Sequence, residues 1–367
     1  MRSTVSKIHG MVKKFFDNIL QEQDRAYAWQ QYVLEAMQHE YQRNSSTYRS
    51  LSVAEMREKL DESDVTAFYA GLLNWLRFDE LEHRQQEISS AHEKTFEWIF
   101  KPQTEEKWSE FPTWLQQEAE PLYWITGKPA SGKSTLMKYI RAHPQTKQHL
   151  CKWAGGKTLI TCSYYFWNSG SALQMSELGM ARTLLYEAIR QAPELWCYLF
   201  QSKMEEFILF GNPWRNPITW HTYVHLQPSL HTATDYIVQL SLLQALRSLA
   251  TNAGENYKVF FFIDGLDECS GQHTKLVDMI KSLVSLNVKT CVSSRLWPVF
   301  EDGFHQSPSL RLEDITYEDI KIYVVSRFAE SRAFEQFQVL DPQVSYSVPL
   351  VTSKNHLRCF VTSLPPI

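Results

Sequence analysis

One segment narrows the possible folds more than any other: GKPASGKST, residues 127–135. Its two glycines stand five positions apart and are followed at once by Lys133, Ser134 and Thr135. The apolar run LYWIT before it predicts a buried strand over 122–126, and the residues after it predict a helix over 135–143. A glycine-rich turn between strand and helix lets successive backbone N–H groups face one point. The helix N-terminus adds positive potential there. This is the pattern of a phosphate-binding loop. Gly127, Lys128, Pro129, Ala130, Ser131 and Gly132 are expected to form the cradle. Lys133 is expected to reach the β and γ phosphates, and Ser134 to offer its hydroxyl to Mg2+. Thr135 is a candidate for the α phosphate.

The segment KVFFFIDGLDE, residues 258–268, supplies a second half. Its apolar residues do not alternate with polar ones, as expected of a strand covered on both faces. Asp264 at its end is expected to hold Mg2+, through a water or directly. Asp267 and Glu268 follow on the turn. Glu268 is the preferred candidate to orient an attacking water, with Asp267 the alternative or a part of the metal shell. Such a cluster of carboxylates makes electrostatic sense if a cation shares the space. A third buried strand, over 288–293, leads through Ser294 to Arg295, a candidate to sense or neutralise a γ phosphate. Ser294 is a weaker candidate for the same neighbourhood. No NKxD segment of the guanine-binding kind is present, so ATP or ADP is favoured over GTP.

Elsewhere the pattern continues as strand then helix. A β-branched and aromatic run predicts a strand over 158–166, and helical spacing predicts helices over 176–192, 236–250 and 274–286. Repeated crossovers of this kind give an α/β fold: a P-loop three-layer sandwich with a mainly parallel sheet. A helical N-terminal region precedes it, with helices expected over 11–42 and 53–76, the latter opened by the capping-box spacing of Ser52 and Glu55. The domain reading is 1–90 helical, 91–120 a linker packing on the core, 121–325 the NTPase domain and 326–367 a tail. Residues 72–100 read as a connector, and 193–230, with Trp196, Trp214, Trp220 and several prolines, as an insertion near the site. His221, His225 and His231 lack the spacing of a zinc site.

Composition sets the surroundings. A net charge of −4 without a dense Lys/Arg block gives no electrostatic ground for a nucleic-acid partner or a nucleic-acid motor. The six cysteines include no CxxC pair and fit a reducing, cytoplasmic setting. The N-terminus lacks the layout of a secretory signal, and no transmembrane segment is expected.

Taken together, LYWITGKPASGKST (122–135), FIDGLDE (262–268) and VKTCVSSR (288–295) resemble the NACHT family of signal-transduction NTPases, the STAND class. The likeness is to fungal members with nephrocystin-3-like N-terminal or heterokaryon-incompatibility regions. HEKTFEWIF (92–100), LRF (76–78), Arg84 and LEDITYEDIKIYV (312–324) extend it over roughly 70–325. The resemblance implies a switch: ADP holds a closed form, and exchange to ATP allows self-association that gathers the N-terminal regions. It places residues 95–98 near the nucleotide and makes residues 1–90 an effector or a docking part for a protein partner. After Arg327 the family's helical and winged-helix continuation does not follow, so a chain truncated after the NTPase core is expected. Two functions remain open from the residues: a slow ATPase switch, and a nucleotide-binding scaffold without turnover.

Overall fold

The computed structural model describes residues 53–91, 95–102, 108–210, 231–252 and 256–315. The expected helix over 11–42, Ser52, His221, His225 and the tail from 326 lie outside the described residues.

The chain divides into two compact units: one runs up to Tyr69 and takes in Phe200–Thr219, the other comprises Ala70–Leu199 and the chain from Trp220. The single helix expected over 53–76 is two, α1 (Val53–Glu58) in the first unit and α2 (Glu62–Leu76), whose residues from Ala70 on are counted with the second. The break falls at Asp61, whose carboxylate accepts the Asp64 N–H at 2.8 Å and so caps the second helix. Phe68 of α2 is fully buried, and its ring meets Phe207 edge-on at 5.4 Å.

The second unit opens with the short helices α3 (His83–Glu87) and α4 (Phe111–Gln116). Then β1 (Leu122–Thr126) leads into α5 (Lys133–Ala142) and α6 (Pro144–Ala154). Pro144 cannot continue α5 and starts α6 instead, with the His143 ring accepting the Gln145 N–H. Next come β2 (Thr158–Tyr165), α7 (Glu177–Gln191), α8 (Leu195–Leu199), α9 (Gln201–Phe210, in the first unit) and α10 (His231–Asn252). The chain continues through β3 (Tyr257–Asp264), α11 (His273–Leu283), β4 (Val288–Ser294), α12 (Pro298–Phe304) and β5 (Ser309–Arg311). Residues 195–199 and 201–210, part of the expected insertion, are thus helical.

The five strands among the described residues are all parallel, in the order β2-β3-β4-β1-β5. Because strand side chains alternate, each inner strand feeds two cores. On one face Tyr123, Ile125, Phe260, Phe262 and Cys291 pack with Leu136, Met137 and Ile140 of α5 and Trp153 of α6. On the other, Trp124 meets Phe304 of α12 at 5.9 Å. The expected three-layer α/β sandwich is the observed fold. β5, three residues long, was beyond reach of any periodicity, and it forms the edge beside β1.

Candidate functional site

The loop of residues 127–132 leaves β1 between its neighbours β4 and β5, at the carboxyl end of the sheet. Its curl needs two left-handed residues, Ala130 at φ 57° and Gly132 at φ 90°. Gly127 is required for a different reason. A Cβ there would stand 2.6 Å from Ser131 Oγ and 3.0 Å from Glu313 Oε2. The Lys133 amine donates to the carbonyls of Gly127 and Lys128, at 2.8 Å each. The Ser131 hydroxyl is buried with no hydrogen-bond partner. Phe96, itself left-handed at φ 64°, backs the loop: its ring lies 3.5 Å from where a Gly132 Cβ would be. Lys128, Pro129 and Ala130 are exposed, whereas Ser134 and Thr135 are half-buried on the first turn of α5.

Asp264 ends β3 at only 1% exposure. Its Oδ1 accepts the Ser293 hydroxyl at 2.5 Å, and Ser293 Oγ in turn accepts the Gly265 N–H at 3.0 Å. The other oxygen, Oδ2, is buried without a hydrogen-bond partner, although the Ser134 hydroxyl is near enough to help stabilise the charge. Burial raises the Asp264 pKa, and the hydroxyls of Ser134 and Ser293 act against that rise. A buried carboxylate oxygen lacking a donor, close to a hydroxyl, is a ligand pair suited to a hard cation such as Mg2+. The Lys133 amine is held below its usual pKa by burial, which Asp267 and Asp264 oppose.

Asp267 is spent on Arg295. Its two oxygens accept the Arg295 backbone N–H and the guanidinium Nε, both at 2.9 Å. Glu268 stands close enough to Asp264 to help raise its pKa, and its Oε2 accepts the Asn168 N–H at 3.0 Å on the loop after β2. The structure therefore gathers Lys133, Ser134, Asp264, Asp267 and Arg295 at the mouth of the loop, with Glu268 bound to a neighbouring turn.

Three participants were not assigned a role from sequence: Ser293, Asn168 and Glu313. Ser294, the serine named instead, points to the opposite face, accepting the Trp124 Nε1–H at 2.9 Å. Strand alternation carries the signal that separates them. Ser293 shares the face of Cys291, which packs on α5, and Ser294 does not.

A parallel α/β sheet with a glycine loop at its carboxyl end and an acid-ended strand two places away defines a protein of the P-loop type. More narrowly, the chain belongs to the family described as nephrocystin 3, N-terminal, which it matches over residues 94–295, more than half its length. No curated protein matches it in sequence.

Proposed function

We propose that the chain is a nucleotide-operated switch of the NACHT (STAND) kind, binding Mg–ATP or ADP and coupling slow hydrolysis to self-association. The observation that carries this reading is the orphaned Asp264 oxygen beside Ser134, at the mouth of a loop whose lysine already sits on its own carbonyls. In this reading residues 127–135 cradle the phosphates and Lys133 leaves the Gly127 and Lys128 carbonyls to meet them. Ser134 and Asp264 hold Mg2+, which when bound offsets phosphate charge. Arg295, fixed at two points by Asp267, senses the terminal phosphate, and Glu268 orients water. Residues 1–90 supply the docking part for a protein partner, the setting is cytoplasmic, and ATP is favoured over GTP. Among the described residues no helix is long and apolar enough to cross a membrane.

One observation favours a second reading, a nucleotide-binding scaffold without turnover. Both Asp267 oxygens are engaged by Arg295 and Glu268 is held on its Oε2 by the Asn168 N–H, so Asp267 is not spare as a base and Glu268 is tied to a neighbouring turn. The size distribution of purified protein with ADP, with ATP and without nucleotide separates the two. A switch changes assembly state with ATP and loses that change in Lys133→Ala. Glu268→Gln then keeps binding and loses hydrolysis. An identical size distribution in all three conditions rejects the switch, and intact hydrolysis in Glu268→Gln rejects the role given to that residue.

A further inference from the structure

Glu313 has no part in the scheme above, yet it touches the loop. The register of β5 sets Arg311 opposite Thr126, the last residue before the loop. The chain then turns through the 3-10 segment Leu312–Asp314, which brings Glu313 against Gly127 and Lys128. Its Oε2 accepts the Lys128 N–H at 3.1 Å, and its Oε1 accepts Arg311 Nε at 3.0 Å. The side chain is only 8% exposed, so its charge is poorly screened by water. Lys128 is thus pinned from both sides, its N–H by Glu313 and its carbonyl by Lys133. A cleft of about 300 Å3 opens next to this contact, lined by Lys128, Arg295, Trp297, Arg311 and Glu313 among others.

A polyphosphate entering the loop draws the Lys133 amine off those carbonyls, and the Glu313 charge then faces the arriving phosphate. Each added phosphate brings further negative charge into the same field, which already contains Asp264, while the Asp267 charge is paired with Arg295. Arg311 neutralises Glu313 in part, but at 50% exposure its own charge is shared with solvent. We infer that Glu313 is a specificity-determining residue of this site: its carboxylate pins the first turn of the loop and opposes the terminal phosphate, so that the chain favours a nucleoside diphosphate over the triphosphate.

This inference rests on the nucleotide reading, and the test keeps the two apart. Calorimetric titration with Mg–ATP and with Mg–ADP is run on the wild type, Glu313→Gln and Arg311→Met. Glutamine keeps an acceptor for the Lys128 N–H and removes the charge. Glu313→Gln is expected to shift the ATP-to-ADP affinity ratio toward ATP by roughly tenfold. Arg311→Met leaves the carboxylate less neutralised and is expected to move the ratio toward ADP by about threefold. A ratio unmoved in Glu313→Gln overturns the inference, as does an equal loss of both affinities, which would mark a purely structural pin. If that variant does not fold, Arg311→Met decides, and an unmoved or ATP-ward ratio overturns the inference. Wild-type protein that binds neither nucleotide defeats the nucleotide reading itself.

Discussion

The same face of the same two strands ends in opposite chemistry. At the amino end of the sheet, Lys258 of β3 and Lys289 of β4 lie buried among tryptophans. Lys289 donates to the Trp114 carbonyl, with its amine 4.7 Å from the Trp114 ring and 5.5 Å from that of Trp153. Lys258 donates to the Leu286 carbonyl at 2.6 Å and lies 4.8 Å from the Trp153 ring. At the carboxyl end, alternation along β3 and β4 delivers Asp264 and Ser293, and there a buried oxygen lacks a partner. Both ends bury charge, but the amino end supplies carbonyls and aromatic faces to hold it. At the amino end the buried amines have acceptors and the Trp153 Nε1–H, a neutral donor, goes unmatched, whereas at the carboxyl end a carboxylate oxygen does, and that marks where an external ligand is expected.

The largest effect should split the two ends outright. Lys289→Ala leaves a cavity between tryptophans and is expected to lower stability by about 3 kcal/mol in denaturant melts. Mg–nucleotide affinity per folded molecule should not change. Asp264→Ala should do the reverse, holding stability within about 1 kcal/mol while affinity drops by roughly tenfold or more. If both variants damage both properties alike, the contrast between the ends is wrong.

A pH series is expected to sharpen it. Burial brings the Lys289 pKa down from 10.5 to about 8. Between those two values the unfolded chain holds more protons than the folded one, so stability rises with pH across that window. Lys289→Met lacks this term. It should therefore be more stable than wild type at neutral pH by on the order of 2 kcal/mol, and the gap should close toward pH 10.5. A gap constant with pH would show that Lys289 is not desolvated. The smallest test concerns two adjacent serines. Ser293→Ala should lose about 1 kcal/mol of stability and weaken nucleotide binding. Ser294→Ala should lose a similar amount and leave binding alone, since it faces Trp124. Equal effects on binding would void the assignment of faces.

Much of this was legible in the chain. The runs expected as strands over 122–126, 158–166, 258–264 and 288–293 each fall within a residue of the observed bounds, and the loop between the first strand and its helix declares itself. The helix expected over 176–192 runs Glu177–Gln191, capped by the Ser176 hydroxyl, which accepts the Gly179 N–H. What stayed hidden depends on partners far away in sequence. Glu313 and Lys128 are 185 residues apart, and no local spacing announces such a contact. Lys289 reads as a polar interruption in an apolar strand until the rings that receive it are in place. The helix expected over 274–286 ends at Leu283, because Ser285 and Val288 bridge to each other just beyond it.

The Phe96 ring against Gly132 has a practical consequence. A recombinant piece starting at Leu122 would retain each residue of the glycine turn and discard the aromatic wall behind it. Weak ligand uptake by such a fragment would reflect the missing wall, and a boundary upstream of Thr95 is where a minimal working piece should start.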